Sequence, residues 1–266
     1  TETTASKILI TKNDKVAIVG FSTSCLVKFI SIDQESTDFG KVLFTFSHQK
    51  YFSNQDFKPG ESRFQKVVEM VISPDGRQVA VNIGFCYAFV LHFDTQSATM
   101  LEKPYEEKHI RCINFSSDSS YVVSLSENIL CSWDSTTGYI VSTKELSGHL
   151  SWVSCAPTCN IVATAAKGSN DITIWDINRL EESEKSSVVI YKNPVDCVLI
   201  SSQKKLAFIK TYKRLDTCKG AYYMDHFGLD VWDLANFTHQ TFLPFGQHGR
   251  MQHQNISADG SLMVMG

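Results

Sequence analysis

Three residue types recur together in this chain at matched spacing, and they are types that could do chemistry. His109, Ser124 and Trp133 return as His149, Thr164 and Trp175, displaced by 40, 40 and 42 residues. An acid completes the first set at Glu127, whereas the second offers Ser169, Asn170 or a shifted Asp171. Histidine, hydroxyl and carboxylate are the parts of a nucleophilic triad. A triad is built once per active site, however, and this set is copied. A copied polar set reads as a buried hydrogen-bond network that fixes one strand arrangement.

Other catalytic signals are absent from the sequence. It has no G-x-S-x-G, G-x-x-x-x-G-K-[ST], H-E-x-x-H or G-x-G-x-x-G, the patterns that set up acyl transfer, phosphate binding, zinc hydrolysis and dinucleotide binding. Cys155 and Cys159 form a lone CxxxC without the second half of a zinc site. His239, His248 and His253 lack metal spacing and a carboxylate companion. The expectation is a chain with no catalytic residue, no metal and no cofactor.

A different chemistry is offered by Lys204, Lys205, Lys210, Lys213, Arg214 and Lys219, interleaved with Tyr212, Tyr222 and Tyr223. Cations among aromatics can hold phosphate and stack bases. The competing reading is a solvated surface whose lysine stems lie along it, and the net charge of −3 favours that one.

These residues must be positioned by short strands. The stretch Gly148 to Asp176 holds three apolar runs, Ser151–Ala156, Ile161–Ala166 and Asp171–Trp175, with turn residues at the joints. The unit repeats. Trp175-Asp176 recurs as Trp133-Asp134 and Trp232-Asp233, and more weakly as Phe93-Asp94 and Ile32-Asp33. The Asp-to-Asp steps are 61, 40, 42 and 57. A second marker, measured at Thr11, Ser73, Ser116, Ala156, Ser201 and Ser257, steps by 62, 43, 40, 45 and 56. Both markers share one period and the same two long intervals.

A period near 40 with four strands per unit, Gly-His early and Trp-Asp late, resembles the WD-repeat β-propeller family along essentially the whole chain. The resemblance implies an all-β fold: five four-stranded blades at about 7–47, 67–104, 109–146, 149–192 and 195–244, and an incomplete sixth at 249–266. It implies a seven-bladed ring in the parent protein, of which this chain is read as a segment, on the pattern of a large NACHT-plus-propeller scaffold. It also assigns roles. His109 and His149 would bond the hydroxyls of Ser124 and Thr164 and an acid such as Glu127, with Trp133 and Trp175 closing each network and Trp232 at the same place in the fifth blade.

Composition sets the remaining bounds. At 266 residues and 43% hydrophobic the chain can bury a large core. No apolar run approaches a membrane span and no signal peptide is evident, so no membrane partner is expected. Eight cysteines are scattered, four of them inside expected strands, which points to a reduced, intracellular and cytoplasmic setting with the nucleus left open.

For function, the family resemblance implies a non-enzymatic scaffold that binds other proteins through loops on one face. Two long insertions fall in those loop classes, His48–Gln65 and Leu215–His226. The second carries Tyr222, Tyr223 and Met224 flanked by Arg214 and Lys219, residue types that interfaces favour. The alternative is an accessory subunit that contacts RNA phosphate through the same basic and aromatic cluster.

Overall fold

The structure, a computed structural model, describes residues 4–11, 13–22, 26–51, 66–84, 87–103, 110–126 and 128–146. Beyond these it describes the strands 150–155, 161–166, 171–176, 182–189, 195–200, 205–216, 221–233, 238–245, 254–256 and 263–265. Strands make up its regular structure there, apart from one 3-10 turn at His48–Tyr51.

The strands pair in chain order. The first sheet holds β1 (Ala5–Ile10), β2 (Val16–Phe21), β3 (Leu26–Ser31) and β4 (Val42–Ser47). The second holds β5 (Val67–Ile72), β6 (Gln78–Ile83), β7 (Tyr87–His92) and β8 (Ser97–Met100). The third holds β9 (Ile110–Phe115), β10 (Tyr121–Ser126), β11 (Ile129–Asp134) and β12 (Ile140–Glu145). The fourth holds β13 (Leu150–Cys155), β14 (Ile161–Ala166), β15 (Asp171–Asp176) and β16 (Glu182–Val189). The fifth holds β17 (Val195–Ile200), β18 (Lys205–Asp216), β19 (Ala221–Asp233) and β20 (Thr238–Phe245). A two-stranded pair, β21 (Gln254–Ile256) and β22 (Met263–Met265), follows.

The register explains the repeat. The last paired residue of each first strand faces one residue of the second strand, which faces one of the third. The columns are Ile10, Ala17 and Ile30; Ile72, Val79 and Leu91; Cys155, Val162 and Trp175; and Ile200, Leu206 and Trp232. Ile30-Ser31 and Leu91-His92 therefore hold the place of Trp175-Asp176, and the weak copies Ile32-Asp33 and Phe93-Asp94 lie two residues past it. Asp33 serves the turn instead, accepting the Glu35 N–H at 3.2 Å and pairing with Lys15 at 2.9 Å. His92 meets the Thr99 hydroxyl of β8 at 3.0 Å.

All five first strands carry a bulge at one place. Pairing skips Ser6, Val68, Arg111, Ser151 and Asp196, each four residues before the end of its column. An extra residue there bends the strand and increases its twist.

The turn between first and second strands is also shared. Thr11 Oγ1 donates to Asn13 Oδ1 at 2.7 Å, Ser73 Oγ to Asp75 Oδ1 at 2.5 Å, and Ser116 Oγ to Asp118 Oδ1 at 2.6 Å. A left-handed residue follows each, Asp14, Gly76 and Ser119, with φ of 56°, 78° and 64°. Short polar side chains and glycine suit that conformation because they bond locally or lack a Cβ.

The chain divides into two compact units. In the first, Thr1–Phe115 with Ser119–Ser126 and Cys131–Val141, the core lies between successive sheets. Ile18, Val27, Phe29 and Phe46 of the first sheet pack on Val67, Met70, Val81 and Phe89 of the second. Ala80, Ala88 and Val90 on the second sheet's other face pack on Ile113, Phe115, Val122 and Trp133. Small residues on one side accommodate large ones on the other. Ile8 and Ile10 hold the places of Met70 and Ile72, yet they are 62% and 55% exposed. In the second unit, Ser116–Asp118 with Glu127–Leu130 and Ser142–Gly266, the described buried residues include Val162, Ala163, Thr164 and Trp175.

One expectation fails in this unit. The insertion Leu215–His226, read as a long loop, is mostly strand: Leu215 and Asp216 end β18, and Ala221–His226 begin β19. Thr211, Tyr212, Tyr222 and Tyr223 have side chains that favour extended backbone, which accounts for a long hairpin where length alone suggested a loop.

Candidate functional site

The polar network is clearest in the fourth sheet. Trp175 sits opposite Val162, and Thr164 lies two residues along β14, opposite Thr173. That diagonal brings the two side chains onto one face. The indole Nε1–H donates to Thr164 Oγ1 at 2.8 Å, and both residues are 2% exposed. A buried indole needs an acceptor, and this hydroxyl supplies it. Closed off from solvent, Thr164 Oγ1 cannot reach a substrate unless the sheet opens. His149 lies outside the described residues.

The third sheet solves the same problem differently. The Trp133 indole donates to the Glu102 carbonyl at 2.8 Å, not to Ser124. Glu102 follows β8 and is tied to the third sheet: its N–H donates to the Gly138 carbonyl at 2.9 Å, and its carboxylate accepts the Ile140 N–H at 3.2 Å. These bonds hold its carbonyl within reach of the indole. Ser124 is fully buried, and its Oγ meets no hydrogen-bond partner among the described residues. His109 and Glu127, which the resemblance assigns to it, lie outside them. In the fifth sheet the Trp232 backbone pairs with Leu206 and His239.

Sequence reasoning missed two carboxylates. Asp134 Oδ1 accepts the Thr137 N–H at 2.7 Å, the Thr137 hydroxyl at 2.9 Å and the Thr136 N–H at 3.0 Å. The Thr137 N–H above all holds its carboxyl below the usual range, despite partial burial. Asp134 is thus the cap of the turn into β12, and the recurring Trp-Asp was its signal. Glu69 interrupts the apolar strand Val67–Ile72. Its Oε2 accepts the Ile113 N–H of β9 at 3.0 Å. Burial pushes its carboxyl up to about 7, although the Ile113 N–H and the charge of Lys7 pull it down. A lone charge in an apolar run was the available signal.

The partner-binding candidates belong to the long hairpin. Tyr222 pairs with Leu215, Tyr223 with Arg214 and Met224 with Lys213. Pairing shifts between Tyr212 and Lys213, leaving Asp225 as the extra residue. Lys219 lies outside the described residues. β17 accompanies β18 only as far as Lys210, and β20 accompanies β19 only as far as Phe227. Thr211–Asp216 and Ala221–His226 therefore form a two-stranded ribbon beyond the sheet, with both edges unpaired among the described residues.

Among the described residues no group of three or more His, Cys, Asp and Glu could hold a metal ion. Cys112 and Cys131 are buried thiols, and burial raises the Cys131 thiol well above its ordinary value. No described helix is long and apolar enough to cross a membrane.

Comparison with known proteins agrees with this geometry. Residues 101–137 match the family described as WD domain, G-beta repeat. A chain from the solved structure titled "Crystal Structure of Mitotic Checkpoint Complex" superposes with a TM-score of 0.67 at 15% identity. The likeness covers 99% of this chain and 72% of that one, and at such identity it speaks to the fold alone. No curated protein matches the sequence.

Proposed function

We propose that this chain, a WD-repeat protein of all-β propeller fold, is a non-enzymatic scaffold for protein assembly that docks partners on the ribbon of its fifth sheet. The ribbon is the observation that carries the reading. Two strands project past the sheet that supports them, and a two-stranded hairpin is marginal in water on its own. It bears Tyr222, Tyr223, Met224 and Arg214, with Lys219 between its two strands in sequence, types enriched at interfaces. The solved structure of like fold is that of a complex by its title, which is in keeping with a scaffold. The buried Cys112 and Cys131 thiols suit a reducing, intracellular setting.

Replacing Tyr222 and Tyr223 together by Ser tests the docking role. Capture of partners should weaken while the thermal midpoint stays within about 2 °C. Unchanged capture, or a collapsed melt showing the pair to be core, overturns it.

A further inference from the structure

We infer that the edge of β19 at Ala221–Met224, unpaired among the described residues, takes an acidic, extended protein segment as a third strand of the ribbon. This rests on the scaffold reading above and names the kind of partner. An unpaired strand edge presents a row of N–H and C=O groups that pair with another extended chain. The two edges differ. Lys213 and Arg214 stand side by side on β18, and cations at an edge oppose strand addition, whereas Ala221–Met224 on β19 carry no charge. The β19 edge opens where β20 stops, opposite Phe227, so an incoming strand would continue the line of β20.

Charge fixes the chemistry of the newcomer. Between Lys210 and His226 four cations, Lys210, Lys213, Arg214 and Lys219, stand against two carboxylates, Asp216 and Asp225, in a chain of net charge −3. A locally positive ribbon on a negative protein selects an acidic segment. RNA would satisfy the cations too, but Asp216 and Asp225 stand among them and repel a continuous phosphate backbone, and RNA makes no use of a strand edge.

Three labelled probes decide the matter on the full chain: a peptide of about eight residues alternating Glu and Val, its Lys and Val counterpart, and an oligouridylate of like length. The acidic peptide should bind at least roughly ten-fold tighter than the basic one. Its binding should slow amide exchange at Ala221–Asp225. Lys213→Glu with Arg214→Glu should weaken it roughly ten-fold, with exchange in Ile161–Ala166 unchanged as the check on folding. Preference for oligouridylate, unchanged exchange at Ala221–Asp225, or indifference to the charge reversal overturns the inference. If the acidic peptide fails while the Tyr222 and Tyr223 double variant still loses its partners, the scaffold reading survives and only the strand addition falls.

Discussion

At the scale of single residues, the two tryptophans that look alike in sequence make different demands. The Trp175 indole gives its one hydrogen to Thr164, so Thr164→Val keeps the shape and orphans the donor. That should cost about 1–3 kcal/mol. Ser124→Ala should cost clearly less, because the Trp133 indole is served by Glu102. Urea unfolding of both variants checks this, and equal losses would mean that Ser124 has a comparable partner. Glu69 adds a pH signature. Its folded carboxyl titrates near 7 against an ordinary 4.5, so the folded state holds a proton the unfolded chain has released. Stability should fall as pH rises from about 4.5 to 7, by at most about 3 kcal/mol, and level off above. Glu69→Gln should flatten that slope in melts across this range, and a parallel slope would overturn the assignment. Spacing revealed Thr164 and Trp175 because both partners recur. The detour of Trp133 was illegible, since it depends on where Gly138 and Ile140 hold Glu102.

Among the elements, the turns separate two costs of a side chain at glycine. Gly76 and Gly138 both have left-handed backbone, at φ of 78° and 75°. A Cβ on Gly76 would meet nothing, whereas one on Gly138 would collide with the Met100 carbonyl oxygen. Gly76→Ala should therefore cost roughly 1 kcal/mol from conformation alone, and Gly138→Ala clearly more, because backbone must move. Comparable midpoints for the two would show that the approach of Met100 relaxes freely. The turn markers Ser73, Ser116 and Thr11 were legible because each polar side chain there bonds its own turn. The Trp-Asp marker misled in the first two sheets, where the register seats Ile30 and Leu91 and leaves the aspartates downstream. The ribbon escaped notice because an insertion's length gives no hint that its two halves pair.

For the molecule as a whole, function and stability should be separable. Replacing Thr211–His226 by a short Asn-Gly turn should leave the melting temperature within about 2 °C, because these residues extend past the part of the sheet that β17 and β20 pair. The same change should abolish partner capture, and a large fall in melting temperature would show that the ribbon braces the fifth sheet. The all-β repeat architecture was legible because its period is carried by every unit, whereas the ribbon occurs once. The order of strands has a further consequence, for how the chain finds its structure. Every described sheet is made from consecutive strands, so most pairings join residues close in sequence and few long loops must close first. Each sheet can then form as its own residues become available. Assembly that runs along the chain in step with synthesis, rather than waiting for its end, follows from that order.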